Sequence, residues 1–354
     1  MTVSSPDPAG APAAAPGAWQ ALHIHYAANP APLMTRCVGP LVEGLLADGL
    51  LESHFFINYW LEGPHVRLRL KPATEADTEA VLARAEEAVA AFLRERPALY
   101  EVDSSGFLNE FYNTLFELEF PEDERADFLA PDGRMKLRPN NTFSRQPYEP
   151  EYGKYGGPAG VALAEWHFRH SSELVIDAVR GMNLHLRTVR LGTSAQLMMV
   201  MAGCFLPGRE ELAAYLDRYH VFWQKAFSGT GLIGSDEYDR GYEGTGRALA
   251  RRFEAVLDAL ARGEADRLPR FLRGWAGHCA ELRERATALA VGGELVFRSW
   301  DGTTDERVTD PAVALPLLLS PYMHMTNNRL HVTIRDEAYL SYVLGRALRE
   351  ESPR

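Results

Sequence analysis

The stretch FFINYWLEGPHVRLRLK, residues 55–71, decides how the first part of the chain folds. This stretch predicts a β-hairpin, because an aromatic and apolar run is followed by a Gly-Pro turn and then by a run that alternates basic with apolar residues. Because side chains alternate between the two faces of a strand, the second strand places His65, Arg67 and Arg69 on one face. The other face of that strand is apolar and carries Val66, Leu68 and Leu70.

The segments around this hairpin predict an α+β lobe. WQALHIHY, residues 19–26, alternates as a first strand does, and the apolar residues between Leu33 and Leu46 recur at helical spacing. Thr74 and Asp77 have the spacing of a capping box at the start of a further helix. The order strand, helix, hairpin, helix predicts helices packed on a mostly antiparallel sheet.

The later parts of the chain predict a long loop followed by helices. Residues 99–120 are consistent with strands, whereas residues 130–160 are rich in Pro, Gly and Asn and predict a long loop. GELVFRSWDG, residues 293–302, predicts a short strand pair or an arm. Apolar periodicity predicts a helix from Gly157–Pro158, another from Ser171–Glu173, and further helices near residues 191–205, 209–227, 244–262, 268–290, 310–328 and 335–350.

These patterns indicate one domain, residues 19–350, made of two lobes. The α+β lobe covers about residues 19–150, and a predominantly helical lobe covers about residues 151–350. Residues 1–18 are rich in Ala, Pro, Gly and Ser and lack the basic and apolar regions of a signal peptide. We therefore expect a disordered tail there.

Composition excludes several classes of function. The chain has 354 residues and a net charge of −11, which argues against broad binding to phosphate backbones. Its three cysteines show no Cys-x-x-Cys spacing, so neither a disulfide framework nor a zinc site is predicted, and a reducing cytoplasm fits. The most apolar run, residues 312–319, is too short to cross a membrane. Motifs for nucleotides, P-loops, hydrolase serines and zinc proteases are absent from the sequence, and no cofactor is predicted.

The basic row on the hairpin is the first candidate site. Arg67 and Arg69 project side by side, and each guanidinium group can hold a carboxylate with two hydrogen bonds. The alternative is an ordinary half-exposed strand whose arginines form surface salt bridges. The sequence leaves both interpretations open.

The second candidate site is YEPEYGKYGG, residues 148–157. Glu151 and Lys154 stand three residues apart before a Gly-Gly-Pro helix start. Backbone N–H groups at such a start can bind an anion. The alternative is a turn with an exposed charge pair.

The third candidate site is SPYMHMTNNRLHV, residues 320–332. His324 lies in an apolar pattern, and histidine is the side chain most suited to proton transfer near neutral pH. The alternative is a histidine that is hydrogen-bonded within the core. Arg329 is the most notable of the polar residues that follow it.

These segments together resemble a family. The chain resembles the C-terminal elimination domain of class I lantibiotic dehydratases, a family also called thiopeptide-type bacteriocin biosynthesis proteins. The segments that carry the resemblance are FFINYWLEGPHVRLRL, YEPEYGKYGGPAGVALAEWHFRHSS, and HMTNNRLHV with EAYLSYVLGRAL. The resemblance spans Trp19 to Leu348 and keeps the three motifs in order. It implies a stand-alone eliminase, a lyase that removes glutamate from glutamylated Ser or Thr of a precursor peptide. The product would be dehydroalanine or dehydrobutyrine.

The resemblance also implies site residues. The family's elimination-site arginines fall on Arg67 and Arg69, its acidic residue and cation fall on Glu151 and Lys154, and its histidine falls on His324. The cation is commonly Arg in the family, so Lys154 keeps the charge but loses a planar, two-pronged grip. The arginines would hold the glutamyl group, and Lys154 or His324 would move the proton. We expect His65, Glu151 and Arg329 to support this site.

The same resemblance implies partners and leaves alternatives. A precursor peptide with its leader would be the substrate, and a separate glutamyl-tRNA-dependent protein would glutamylate it. No direct contact with nucleic acid or membrane is expected, and the sequence leaves open whether the chain forms a homodimer. One alternative is a thiopeptide pyridine synthase, which joins two dehydroalanines by a formal aza-[4+2] cycloaddition and expels the leader. Another is a non-catalytic scaffold that binds the precursor as an added strand on an exposed sheet edge.

Overall fold

The structure is a computed structural model that describes residues 15–99, 116, 125–131, 133–226, 236–299 and 302–350. The strands are β1 (Gln20–His25), β2 (Leu51–Tyr59), β3 (His65–Pro72), β4 (Thr142–Gln146), β5 (Val296–Arg298) and β6 (Asp305–Arg307). The helices are α1 (Ala31–Leu33), which continues through a π-helical turn (Met34–Val38) into α2 (Gly39–Ala47), then α3 (Thr78–Glu95), α4 (Tyr152–Tyr155), α5 (Gly157–Gly181), α6 (Arg187–Phe205), α7 (Arg209–Ala226), α8 (Asp236–Ala261), α9 (Arg270–Val291), α10 (Pro311–Arg329) and α11 (Ile334–Glu350). The predicted α+β class is confirmed.

A four-stranded antiparallel sheet forms the first lobe, in the order β2-β3-β1-β4. The predicted hairpin is confirmed, since Tyr59 pairs with His65 and Phe55 pairs with Arg69. Its turn contains Gly63 at φ 105°, a left-handed conformation that glycine adopts without strain. The predicted capping box of Thr74 with Asp77 is also present before α3.

The two faces of this sheet contact different helices. Phe92 on α3 packs edge-on against Tyr26, just after β1, on the face that carries the buried Leu68. On the other face, Phe55 packs against Phe168 of α5. The sheet therefore lies between helices, and a charged side chain on either face is removed from bulk water unless it reaches an opening.

One edge of the sheet is closed by side chains of the helical lobe. The backbone N–H of Asn58 donates to Oδ1 of Asn328 at 2.9 Å, and Nδ2 of Asn328 donates to the carbonyl of Asn58 at 2.7 Å. The N–H of Phe56 donates to Oγ of Ser172 at 3.2 Å. The amide of Asn328 thus takes the place of a neighbouring strand, so β2 does not offer these groups to an added peptide strand. The other edge of the sheet is β4.

Two predictions of local structure are wrong. Ser171–Glu173 does not start a new helix, because α5 runs unbroken through it. Oγ of Ser171 donates to the carbonyl of His167 one turn back, while Ser172 binds the sheet edge. The predicted long loop contains β4, which follows a turn held by Asn140 and Asn141. The strands expected at residues 99–120 fall almost wholly outside the described residues.

The helical lobe packs around two central helices, α6 and α10. Met199 and Met201 on α6 are almost fully buried and belong to the core. The short hairpin of β5 and β6 lies against the start of α5, where the N–H of Val296 donates to the carbonyl of Gly156 at 3.0 Å. Within the described ranges, no helix is both long enough and apolar enough to cross a membrane.

Candidate functional site

The basic row on β3 consists of the buried His65 and Arg69 and the half-buried Arg67, and it lies beside a second row on β1. Arg69, His65 and His25 are each only about 5–6% exposed. Arg67 pairs across the strands with His23, and His65 pairs with His25, so all five side chains share one face of the sheet. The alternative of a solvated strand with surface salt bridges is therefore wrong.

Each arginine is held by a histidine and lies near an aromatic ring. Nε of Arg67 donates to Nε2 of His65 at 3.2 Å, and its guanidinium carbon lies 3.5 Å from the centroid of the Tyr59 ring. Nη1 of Arg69 lies 3.1 Å from Nε2 of His23. Because Nδ1 of His65 lies 2.9 Å from the carbonyl of Gly63, its proton sits on Nδ1 and Nε2 is free to accept. The histidines thus act as neutral acceptors that orient the guanidinium groups.

Burial and charge keep these histidines neutral. Burial, followed by the charges of Arg67 and Arg69, lowers the pKa of His23 to about 2. Burial lowers the pKa of His65 to about 3 and that of His25 to about 4. Burial and the neighbouring Arg67 also lower the pKa of Arg69, to about 10, which leaves it charged at neutral pH.

The two positive charges have no directly bound counter-ion among the residues that the structure describes. Among the described residues, no carboxylate forms a hydrogen bond or an ion pair with Arg67 or Arg69. Nε of Arg69 is buried without a hydrogen-bond partner. Glu151 acts on Arg67 only through its charge, which raises the pKa of the guanidinium against the larger lowering by burial. A buried cationic pair of this kind favours an anionic ligand.

Glu151 and Lys154 form an exposed ion pair beside this face. Their charged groups are 3.3 Å apart, and the side chains are 61% and 42% exposed, respectively. Helix α5 begins at Gly157, and Gly156 is its N-cap at φ 86°. Leu295 and Phe297 pack beside Gly156. The structure thus places Lys154 within reach of solvent and pairs it with Glu151, which is the exposed charge pair of the alternative interpretation.

His324 lies on α10 and is held by a buried carboxylate. Its Nδ1 is 2.9 Å from Oε2 of Glu337, which is fully buried and also accepts a hydrogen bond from the hydroxyl of Tyr219 at 2.5 Å. The side chain of His324 is 27% exposed, and its ring lies 5.1 Å from that of Trp223. An oriented imidazole with one open edge can transfer a proton. The interpretation as an ordinary core histidine is therefore disfavoured.

Arg329 lies apart from the β3 row. It is buried on α10, where Nε donates to Oγ of Ser172 at 3.1 Å and Nη1 donates to the carbonyl of Met325 at 2.8 Å. Its guanidinium carbon lies 4.6 Å from the ring of Phe168. In the part of the chain that the structure describes, no hydrogen bond, ion pair or ring contact joins Arg329 or His324 to Arg67 or Arg69. The structure brings His65, Arg67 and Arg69 together, pairs Glu151 with Lys154, and leaves His324 and Arg329 as separate groups.

A family model described as "Lantibiotic biosynthesis dehydratase C-term" matches residues 19–348. The chain belongs to this family. The predicted resemblance is thereby confirmed over nearly the whole chain. No curated protein sequence matches it.

The chain is also similar to solved structures. "Pyridine synthase, TbtD, from thiomuracin biosynthesis" is 23% identical with a TM-score of 0.68, and the match covers 93% of this chain and 97% of that one. "Crystal structure of TsrL" is 16% identical with a TM-score of 0.65 and 95% of both chains covered. The tRNA-dependent lantibiotic dehydratase MibB from Microbispora sp. 107891 is 18% identical with a TM-score of 0.50, covering 97% of this chain and 28% of that one. At these identities the likeness establishes the fold.

Some residues of the candidate site are not among those predicted from the sequence. His23 and His25 are two of them, and no group of His, Cys, Asp or Glu in the described ranges is arranged to hold a metal. The sequence signal for them is their spacing of two residues on β1, which places both side chains on one face of the sheet beside the β3 row. Glu337 carries no such signal, because its partner His324 lies in another helix.

Proposed function

We propose that this protein is a stand-alone eliminase in the biosynthesis of a ribosomally made peptide. It would remove glutamate from glutamylated Ser or Thr of a precursor peptide and leave dehydroalanine or dehydrobutyrine. The observation that supports this most is the pair of guanidinium groups of Arg67, which is half-buried, and Arg69, which is buried. Neutral histidines orient both groups, and no carboxylate among the described residues forms an ion pair with either. A glutamyl ester carries the anionic group that such a pair binds best.

The reaction needs three contributions from the protein. A base takes the proton from Cα of the esterified residue, a C=C bond forms between Cα and Cβ, and the Cβ–O bond breaks so that glutamate leaves as a carboxylate. Negative charge develops on the peptide enolate and then on the leaving group. Arg67 and Arg69 would stabilise this charge, because fixed cations in a site shielded from water act strongly on developing charge.

Two groups are candidates for the proton transfer. His324 is oriented by Glu337 and keeps an exposed edge, which suits a general base or acid. Lys154 forms an ion pair with Glu151, and the charge of Glu151 in turn acts on Arg67 of the β3 row. We assign the proton transfer to these two residues together, with Glu151 as the positioning group for Lys154. The bound peptide would extend from the β3 row to both of them.

The test is glutamate release from a synthetic precursor peptide that carries a glutamyl ester on one serine. Wild-type protein should release glutamate and leave dehydroalanine. Arg67→Gln and Arg69→Gln should each slow release by a factor of about 100 or more, since each removes a charge-assisted contact to the reacting group. Arg94→Gln, at an exposed position on α3, is the matched control and should not change the rate. Unchanged rates in both β3 variants would rule out this function.

A second candidate function rests on a different observation. The chain overlaps nearly the full length of TbtD, which is described as a pyridine synthase, whereas it overlaps only 28% of MibB. A pyridine synthase would join two dehydroalanines of one peptide and expel the leader. Incubation with a peptide that already contains two dehydroalanines separates the two functions. Loss of a whole leader peptide in the mass spectrum supports the synthase, and release of free glutamate from the ester supports the eliminase.

The proposed elimination implies partners for this chain. A separate glutamyl-tRNA-dependent protein would supply the glutamylated precursor, in the cytoplasm, where glutamyl-tRNA is present. The net charge of −11 supports a division of labour in which this chain binds no tRNA itself. The test is to measure glutamate release with and without the glutamylating protein and tRNA. An unmodified precursor should require the glutamylating protein, whereas a precursor that already carries the ester should release glutamate without tRNA.

A further inference from the structure

A basic cavity lies on the opposite side of the sheet from the β3 row. It has a volume of about 540 Å³ and is bounded by α1, the edge of β2, the ends of α5 and α10, and the start of α6. Phe56 and Asn58 of β2 line it, and these residues alternate with those that pair with Arg67 and Arg69. The cavity is therefore separate from the candidate elimination site.

Among the described residues that line this cavity, the charged side chains are basic and none is a carboxylate. Its ionisable side chains are Arg36, Arg96, His185, Arg190, Arg329 and His331. Within the described ranges, Arg36, Arg96 and Arg190 form no side-chain ion pair. The cavity thus concentrates positive potential.

Two of its guanidinium groups have buried nitrogens without partners. Arg329 is 3% exposed, and its Nη2 has no hydrogen-bond partner although Nε and Nη1 do. Nε of Arg190 is also buried and unpartnered. A buried donor on a charged group costs free energy unless a ligand satisfies it. Burial lowers the pKa of Arg329 to about 9, and a bound anion would offset that loss.

We propose that this cavity is a second anion site, which binds a carboxylate ligand through Arg329 and Arg190. The ligand carboxylate would accept from Nη2 of Arg329 and from the guanidinium of Arg190, with Arg36 and Arg96 adding charge at the exposed rim. The binding does not depend on the elimination reaction.

The lining favours a carboxylate with an apolar neighbour over a phosphate. Met34, Phe56, Met182 and Leu184 form apolar parts of the wall. A monoanion with apolar groups beside it fits a wall of this mixed kind, because a dianion costs more to remove from water. Both an acidic peptide segment and a free amino acid such as glutamate carry this chemistry, and the experiment separates them.

The test is isothermal titration of the full chain at fixed ionic strength. The probes are Ac-Leu-Glu-Leu-NH2, its neutral counterpart Ac-Leu-Gln-Leu-NH2, sodium glutamate and inorganic phosphate. None of these probes carries an ester, so the result does not depend on catalysis. We expect the acidic tripeptide to bind and the neutral one to bind about tenfold or more weakly. Glutamate binding as tightly as the acidic tripeptide would identify the free amino acid as the source, and weaker binding would identify a peptide.

Variants locate the binding. Arg190→Gln should weaken binding of the acidic tripeptide by about tenfold or more, and Arg329→Met should do the same if it folds, as judged by circular dichroism. Arg94→Gln, which lies outside the cavity, should bind like wild type. Wild-type affinity in Arg190→Gln, equal affinity for the Gln tripeptide, or tighter binding of phosphate than of either carboxylate would each overturn the proposal. A protein that fails here can still release glutamate, so the two proposals fail separately.

Discussion

Nη1 of Arg69 lies 3.1 Å from Nε2 of His23, across the pairing of β1 with β3. A guanidinium can only donate, so His23 must accept and is neutral in the fold. The same relation holds between Arg67 and His65. On this face of the sheet the two arginines are therefore charged and the three histidines are neutral. This arrangement makes the free energy of unfolding depend on pH.

Stability should fall as the pH is lowered below about 6.5. In the fold the pKa of His23 is lowered to about 2 and that of His25 to about 4, whereas an unfolded chain titrates its histidines near 6.5. Between these values the unfolded chain binds more protons than the folded one, so the free energy of unfolding decreases as the pH falls from 6.5 towards 4. Urea unfolding between pH 8 and pH 5 measures this dependence. His25→Gln should reduce the slope relative to wild type, whereas the exposed His185→Gln should not; equal slopes would contradict the assignment.

Arg69 should be needed for activity but not for stability. Its charge is buried next to that of Arg67, so Arg69→Met removes a like-charge contact and fills the space with apolar atoms. We expect the free energy of unfolding to stay constant or rise by about 1 kcal/mol, while glutamate release is lost. Chemical denaturation and the release assay on the same sample test both parts. A destabilisation of more than about 2 kcal/mol would show that Arg69 is a structural residue.

His324 and Glu337 should act as one unit. Their atoms are 2.9 Å apart, so removing either member disturbs the same proton-transfer group. We expect His324→Ala and Glu337→Gln each to lower kcat for glutamate release by a factor of about 10 or more, and the double variant to cost less than the sum of the two. A double-mutant cycle on kcat/KM, with folding checked for each variant, measures this coupling. Additive losses would mean that the two residues act independently.

Lys154 should matter for the reaction and little for the fold. Its ion pair with Glu151 is exposed, and such pairs contribute at most about 1 kcal/mol. Lys154→Ala should leave the free energy of unfolding within that range and reduce glutamate release, and Lys154→Arg should restore part of the rate by restoring the charge. Full activity in Lys154→Ala would remove this residue from the site.

Asn328 should stabilise the contact between the two lobes. Asn328→Ala leaves the N–H and the carbonyl of Asn58 without their partners at a closed edge, at a cost of about 2 kcal/mol or more. Asn183→Ala, at an exposed position after α5, is the matched control and should change the free energy of unfolding by less than about 0.5 kcal/mol. Thermal or urea unfolding of the two variants measures the difference. Equal stability of the two variants would mean that solvent replaces the asparagine.

The sequence predicted the hairpin and its alternation because one face is apolar and the turn has a glycine at a positive φ. It predicted the helices after residue 187 because their apolar periodicity is strong. It missed the continuity of α5 at Ser171 and Ser172, because serines resemble caps locally and their actual partners lie in the same helix and on β2. The partner of His324 could not be read from the sequence, because Glu337 meets it only through packing of α10 against α11.

The side-chain amide of Asn328, one turn after His324, connects α10 to Asn58 of β2 through two hydrogen bonds. Tyr59, the next residue on β2, stacks its ring against the guanidinium group of Arg67. Sliding of this helix along the strand would break both hydrogen bonds at once. These hydrogen bonds hold the spacing between the imidazole of His324 and the cationic strand β3 in the fold. We expect the protein to select among precursor peptides by the length and bulk of the peptide segment that spans the distance from His324 to β3. The protein itself should change conformation little from one peptide to the next.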